Sequence, residues 1–113
     1  MGFDLGTVFV DSVTGTSQSN IPVGTTIEWV WQNATHSSTS GTCNSTTCTP
    51  GAVGNPPTEL WDSGQLTTPA TFTHQFNTVG TFTYFCTVHN VMMQGLVNVL
   101  PLTPTPGIPA RPR

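Results

Sequence analysis

Cys86, His89, Met92 and Met93 fall within the stretch FTYFCTVHNVMMQGLVNV, residues 82–99. Packing needs neither the thiol, the imidazole nor the thioethers gathered there. A soft transition metal takes all of them. A second imidazole lies far upstream, at His36 in NATHSSTS. Two imidazoles, a thiolate and a weak axial thioether form a donor set that lets copper change oxidation state with little ligand movement. Metal binding keeps the thiolate deprotonated. His36, Cys86, His89 and one of the two methionines leave no open position for a substrate. The set therefore points to electron transfer rather than catalysis.

Such residues need strands to aim them, and the chain reads as strand after strand with turn chemistry between. TVFVDSV (7–13) is β-rich, and SQSNIPVG (17–24) reads as a turn and connection. TTIEWVWQ (25–32) alternates, placing Ile27, Trp29 and Trp31 on one face. THSSTS (35–40) reads as a short polar strand that starts beside His36. GTCNSTTCTPGAVGNPP (41–57) reads as a long loop, and TELWDSG (58–64) as a short edge segment. ATFTHQF (70–76) puts Phe72, His74 and Phe76 on one face, and NTVG (77–80) is a turn. TFTYFCTV (81–88) does the same for Phe82, Tyr84 and Cys86, and GLVNVL (95–100) is the last strand. The sequence shows no helical periodicity longer than two turns and no internal repeat. Short strands at this spacing predict an all-β sandwich or small barrel. Cys86 then ends a core-facing row, and His89 lies in the loop just beyond it.

Three cysteines need not share one role. Cys43 and Cys48 sit close together in the long polar loop. A disulfide between them closes a short loop, worth roughly 2 kcal/mol in the chain-entropy picture, and implies an oxidising compartment. A rival pools Cys43, Cys48, Cys86 and His89 as a zinc site, but it leaves His36 and the methionines without a role. His74, flanked by phenylalanines on its own face, reads as a core or rim histidine.

With 113 residues the chain has the length of one domain. Charged residues make up 6% of it, and the net charge is −3. The two basic residues are Arg111 and Arg113. That balance offers no surface for nucleic acid or for anionic lipid, and no run reaches the roughly 20 apolar residues of a membrane helix. Residues 1–100 read as the domain. The proline-rich segment 101–113 reads as a tail or linker, with a plain disordered terminus as the equal alternative. The start MGFDLG reads as an engineered or a mature-domain start, with any export signal removed.

WVWQNATHS, DSGQL, FNTVGTFTYFC, C-x2-H and M-x-G-x-V, in that order, cover most of residues 24–99. This ordered set resembles the type 1 blue copper proteins, or cupredoxins, of the plastocyanin, amicyanin and pseudoazurin group. The resemblance implies a Greek-key β-sandwich of about seven to eight strands. It implies one copper held by His36, Cys86, His89 and a methionine, with the Ser37 N–H approaching the Cys86 sulfur. The M-x-G-x-V register favours Met93 as the axial ligand, with Met92 as the alternative. Counted to Met92 the loop after His89 has the two intervening residues of amicyanin-like loops, and counted to Met93 it has three, which is neither the amicyanin-like nor the plastocyanin-like length.

The function so implied is that of a small exported electron carrier, periplasmic or extracellular. It is a monomer, not an enzyme, and exchanges electrons with redox proteins at an apolar surface around His89. The alternative is a copper-binding or copper-delivery module using the methionine-containing loop. A third reading is an adhesion or structural domain with an incidental Cys–His pair. Asn33-Ala34-Thr35 and Asn44-Ser45-Thr46 match the N-glycosylation pattern, and in so threonine-rich a chain both are read as chance. Asp4, Asp11, Glu28, Glu59 and Asp62 lack paired spacing for acid–base work and are read as solvated.

Overall fold

A computed structural model describes residues 3–4 and 8–102 of the chain. The proposed tail from residue 103 onward lies outside the described residues. Among the described residues there is no helix, and eleven strand segments follow one another: β1 (Phe3–Asp4), β2 (Phe9–Val10), β3 (Gln18–Pro22), β4 (Thr26–Trp31), β5 (Thr35–His36), β6 (Thr39–Cys43), β7 (Cys48–Pro50), β8 (Leu66–Thr67), β9 (Ala70–Gln75), β10 (Gly80–Cys86) and β11 (Asn90–Leu100). The count exceeds the expected seven to eight because four segments, β1, β2, β5 and β8, are two residues long. These are brief pairings at the ends and edges of the sandwich.

The larger sheet has the order β3-β11-β10-β6-β7, and β4 pairs with β9 against it. Period-2 patterning builds the core between them. Ile27, Trp29 and Trp31 of β4 are buried, as are Phe82, Tyr84 and Cys86 of β10 and Met93, Val97 and Val99 of β11. Aromatic rings fill the centre. Trp29 lies 5.8 Å from Trp61, stacked, and 5.4 Å from Tyr84, edge-on. Phe76 meets Trp61 edge-on at 5.0 Å. Such offset and T-shaped contacts suit the ring quadrupoles.

Three segments differ from the sequence expectation. Residues 17–24, expected as a connection, contain β3, which pairs in parallel with Leu96–Leu100 of β11. Its inward residue is Ser19, fully buried, so apolar alternation never announces the strand. The expected long loop 41–57 instead opens with a hairpin, in which Gly41, Thr42 and Cys43 pair with Pro50, Thr49 and Cys48. Backbone pairing and a Cys43–Cys48 disulfide hold it, rather than a buried apolar face. The last strand begins at Asn90, not at residue 95, and the register with β10 shifts between Phe85 and Cys86. That irregularity lets the chain turn through residues 87–89 and still rejoin the sheet.

Two acidic residues expected in solvent are buried, Asp11 and Glu59. Asp11 Oδ1 accepts the N–H groups of Val13 (2.6 Å) and Thr14 (3.0 Å), closing a turn. Glu59 accepts from Asn77 N–H at 3.0 Å and meets His74 Nε2 at 2.7 Å. Both carboxylates leave water for fixed partners, which is the condition for burying such a group.

Candidate metal centre

The end of the sandwich where β4 leaves the sheet and β10 ends carries the chemistry. Trp31 closes β4, and its indole N–H donates to the His36 carbonyl at 2.8 Å. Between them Ala34 adopts φ 63°, in the left-handed region, and its carbonyl accepts the Thr68 N–H at 3.1 Å. His36 then pairs with Leu66 across β5 and β8. These restraints fix the backbone of a histidine that is itself buried. Cys86 is held as the last residue of β10 and is wholly buried. The turn 87–89 follows, and just beyond it the Met92 N–H donates to the His89 carbonyl at 3.2 Å. Asn90 takes φ 51° there, a conformation its short amide tolerates better than most side chains.

His36, Cys86 and His89 converge although one arm of the site lies fifty residues upstream of the others. Their donor atoms all lie within 4.8 Å of one another. The Cys86 sulfur is 3.8 Å from His36 Nδ1 and 3.7 Å from His89 Nδ1. A first-row metal about 2.0 Å from nitrogen and about 2.3 Å from sulfur would hold them roughly 3.5–3.7 Å apart, the upper value for trigonal angles. The two sulfur–nitrogen distances therefore fit one metal ion, at the trigonal end of the range. The Ser37 N–H lies 3.4 Å from the Cys86 sulfur. Two nitrogens and a thiolate, with one backbone donor on the sulfur, suit a soft metal better than a hard one.

Met93 is buried, 1% exposed, whereas Met92 is 71% exposed. His74 lies outside the cluster. It is bonded to Glu59, and its ring stacks on Trp61 at 5.0 Å, the core-or-rim role its neighbours suggested. Cys43 and Cys48 are joined to each other, which removes them from any pooled zinc site.

Sequence reasoning missed the polar scaffold behind the cluster. Ser37, Ser38, Thr39 and Ser40 are all buried. The Ser37 hydroxyl accepts the Thr87 N–H at 2.8 Å and the Thr87 hydroxyl at 3.0 Å. It lies 2.9 Å from Thr39 Oγ1, which donates to Asp62 Oδ1 at 2.9 Å. With Thr39's proton committed to Asp62, Ser37 supplies the proton between the two hydroxyls. The loop that carries His36 is thus bonded directly to the residue after Cys86. Ser38 accepts the Trp61 indole N–H at 3.0 Å, tying the same run to the aromatic core. The signal in the sequence was the run HSSTS itself, where four small polar residues follow a candidate ligand.

No protein-family model matches the chain, and no curated protein matches it. Solved structures do. Amicyanin from Paracoccus versutus (Thiobacillus versutus) superposes with a TM-score of 0.62 at 23% identity, covering 88% of this chain and 78% of that one. A purple cupredoxin from Nitrosopumilus maritimus gives 0.58 at 24% identity, covering 82% and 96%. A Cu-containing nitrite reductase from Thermus scotoductus SA-01 gives 0.66 at 19% identity, covering 90% of this chain but 22% of that one. The chain has the cupredoxin fold, with a His36–Cys86–His89 cluster that fits a type 1 copper site.

Proposed function

We propose that this protein is a small exported electron carrier that binds one copper ion through His36, Cys86, His89 and Met93. The observation that carries the reading is the buried Cys86 sulfur set 3.7 and 3.8 Å from two imidazole nitrogens. Copper held there would supply a one-electron couple between Cu(I) and Cu(II). The residues do the rest. Trp31 and the Ser37–Thr87 bond fix the two arms, so the donors keep their places whichever charge they face. Burial of His36 and Cys86 keeps water from the site. The Ser37 N–H stabilises negative charge on the Cys86 sulfur, which would weaken its donation to Cu(II) more than to Cu(I) and so raise the potential. The Cys43–Cys48 disulfide supports an oxidising compartment outside the cytoplasm. Among the described residues no helix is long and apolar enough to cross a membrane. The test is the visible and EPR spectrum after Cu(II) is added. An intense charge-transfer band with a type 1 signal supports the reading, and a weak, featureless spectrum removes it.

The axial position has its own test. Leucine at residue 93 conserves volume, so Met93→Leu is expected to cost less than about 1.5 kcal/mol. It should raise the reduction potential and keep the colour, because the histidines and thiolate hold most of the affinity. Met92 is largely exposed, so Met92→Leu should leave potential and stability nearly unchanged, within about 0.5 kcal/mol. Voltammetry of the two variants decides. The reverse ranking would assign the ligand to Met92.

Electrons are taken to pass through the half-buried His89, whose neighbours Val88 (41% exposed) and Met92 (71% exposed) present apolar surface. The basic residues are confined to positions 111 and 113, so charge steering should be weak. The second-order rate of electron transfer to a redox protein should change less than about threefold with salt, against the 10–10³-fold of steered encounters. Val91→Asp should slow transfer to an anionic partner. A steep salt dependence, or an unchanged rate in that variant, would rule out this port. Exposed Met92 beside His89 also favours a second reading, a module that hands copper on, since a thioether binds Cu(I). Repeated oxidation and reduction without metal loss separates the carrier from the donor.

A further inference from the structure

Two sequons occur in the chain, and the fold treats them differently. Asn44-Ser45-Thr46 occupies the tip of the β6–β7 hairpin, where residues 44–47 are all exposed. The Cys43–Cys48 disulfide lies at its base. Asn44 Oδ1 accepts from Thr46 N (2.8 Å), Thr46 Oγ1 (3.2 Å), Thr47 N (2.7 Å) and Thr47 Oγ1 (3.3 Å). Donors gathered on the amide oxygen draw electron density toward it and make the amide N–H more acidic. Among the described residues no hydrogen bond engages Nδ2, and Asn44 is exposed. The hydroxyl two residues on, which the sequon requires, is already in contact with the acceptor amide.

Asn33-Ala34-Thr35 lacks this arrangement. It is strung between β4, which ends at Trp31, and β5, which begins at Thr35. The Thr35 hydroxyl is 2.7 Å from that of Thr67 across β5 and β8. The Ala34 carbonyl is bonded to Thr68, and Ala34 sits at φ 63°. Both flanks are anchored in sheets, and the required hydroxyl faces another partner.

We infer that Asn44 is an acceptor for N-linked glycosylation and that Asn33 is not. The co-reactant is a lipid-diphosphate-linked oligosaccharide. A bond forms between Asn44 Nδ2 and the anomeric carbon of the first sugar as that carbon's bond to phosphate oxygen breaks. The lipid diphosphate leaves with the bonding pair, and Nδ2 gives up one proton to the transferring enzyme's base. No oxidation or reduction occurs. β7 is the free edge of the five-stranded sheet, and a glycan at this hairpin tip would screen that edge from pairing with another chain. The assignment does not depend on copper.

The full chain is exported from cells carrying an oligosaccharyltransferase and its lipid-linked donor, with a reporter protein bearing one open sequon in the same cells. With the reporter modified, intact mass should show one oligosaccharide on the chain, and fragmentation should place it on Asn44. Asn44→Gln and Thr46→Ala should abolish the added mass, Thr46→Ser should retain it in part, and Asn33→Gln should leave it unchanged. An unmodified chain beside a modified reporter, or an oligosaccharide on Asn33 with Asn44 bare, would overturn the assignment.

Discussion

Cys86→Ser is expected to abolish the intense visible band of the copper-loaded protein and leave a folded chain. The band requires a sulfur donor, and Cys86 is the one free cysteine among the described residues. Its sulfur receives the Ser37 N–H and faces both imidazole Nδ1 atoms. Serine keeps the shape but replaces a soft thiolate with a hydroxyl that does not ionise near neutrality. Cu(II) affinity should fall by more than the roughly 10–100-fold that changes behind a metal's direct ligands cost. Stability of the metal-free protein should change far less. The new hydroxyl is buried but lies beside the Ser37 N–H, so the cost should stay near 1–3 kcal/mol. Absorbance titration and denaturant unfolding measure the two effects separately. A variant that kept the band would transfer the colour to another donor and remove Cys86 from the site.

Where apolar residues alternate, the fold is legible in the sequence. Ile27, Trp29 and Trp31, and likewise Phe82, Tyr84 and Cys86, are buried as their spacing required, because a one-residue slip would expose the whole row. The strand β3 could not be read, since its inward position is filled by Ser19 and its partner is the distant β11. The hairpin β6–β7 carries no apolar face, and its strands are set by pairing and by a covalent bond. Neither leaves a periodic trace. In the site, the short spacing from Cys86 to His89 is local and legible. Nothing local ties His36 to them. The long-range bonds that do so, from Thr87 to Ser37 and from Trp31 to the His36 carbonyl, use residue types that also occur in any polar strand or core. The chemistry of the donor set, and then the resemblance, joined His36 to the pair, and the buried run from Ser37 to Ser40 shows how the chain holds it there.

Gly95→Ala is expected to destabilise the protein by about 3 kcal/mol or more, above the usual 1–3 kcal/mol for overpacking. Gly95 lies in β11 directly opposite Tyr84 of β10. A methyl group there would overlap the Tyr84 Cζ and hydroxyl oxygen and come within 2.7 Å of Cε1. The ring cannot move aside cheaply. Tyr84 is 1% exposed and is held by Phe9 at 4.7 Å, Trp29 at 5.4 Å and Trp61 at 5.9 Å. Displacing it presses on the centre of the aromatic core, and the alternative is to pull β10 and β11 apart two residues from Cys86 on one strand and from Met93 on the other. The melting temperature should fall by about 10 °C or more, at roughly 4 °C per kcal/mol for a chain of this size. Tyr84→Leu removes the atoms that the new methyl group meets. The double variant Gly95→Ala, Tyr84→Leu should therefore lose less than the sum of the two single losses, by about 1 kcal/mol or more. Denaturant unfolding of the metal-free protein supplies all four corners of that cycle. A loss below about 1 kcal/mol for Gly95→Ala, or strict additivity with Tyr84→Leu, would mean that the ring does not rest on the glycine.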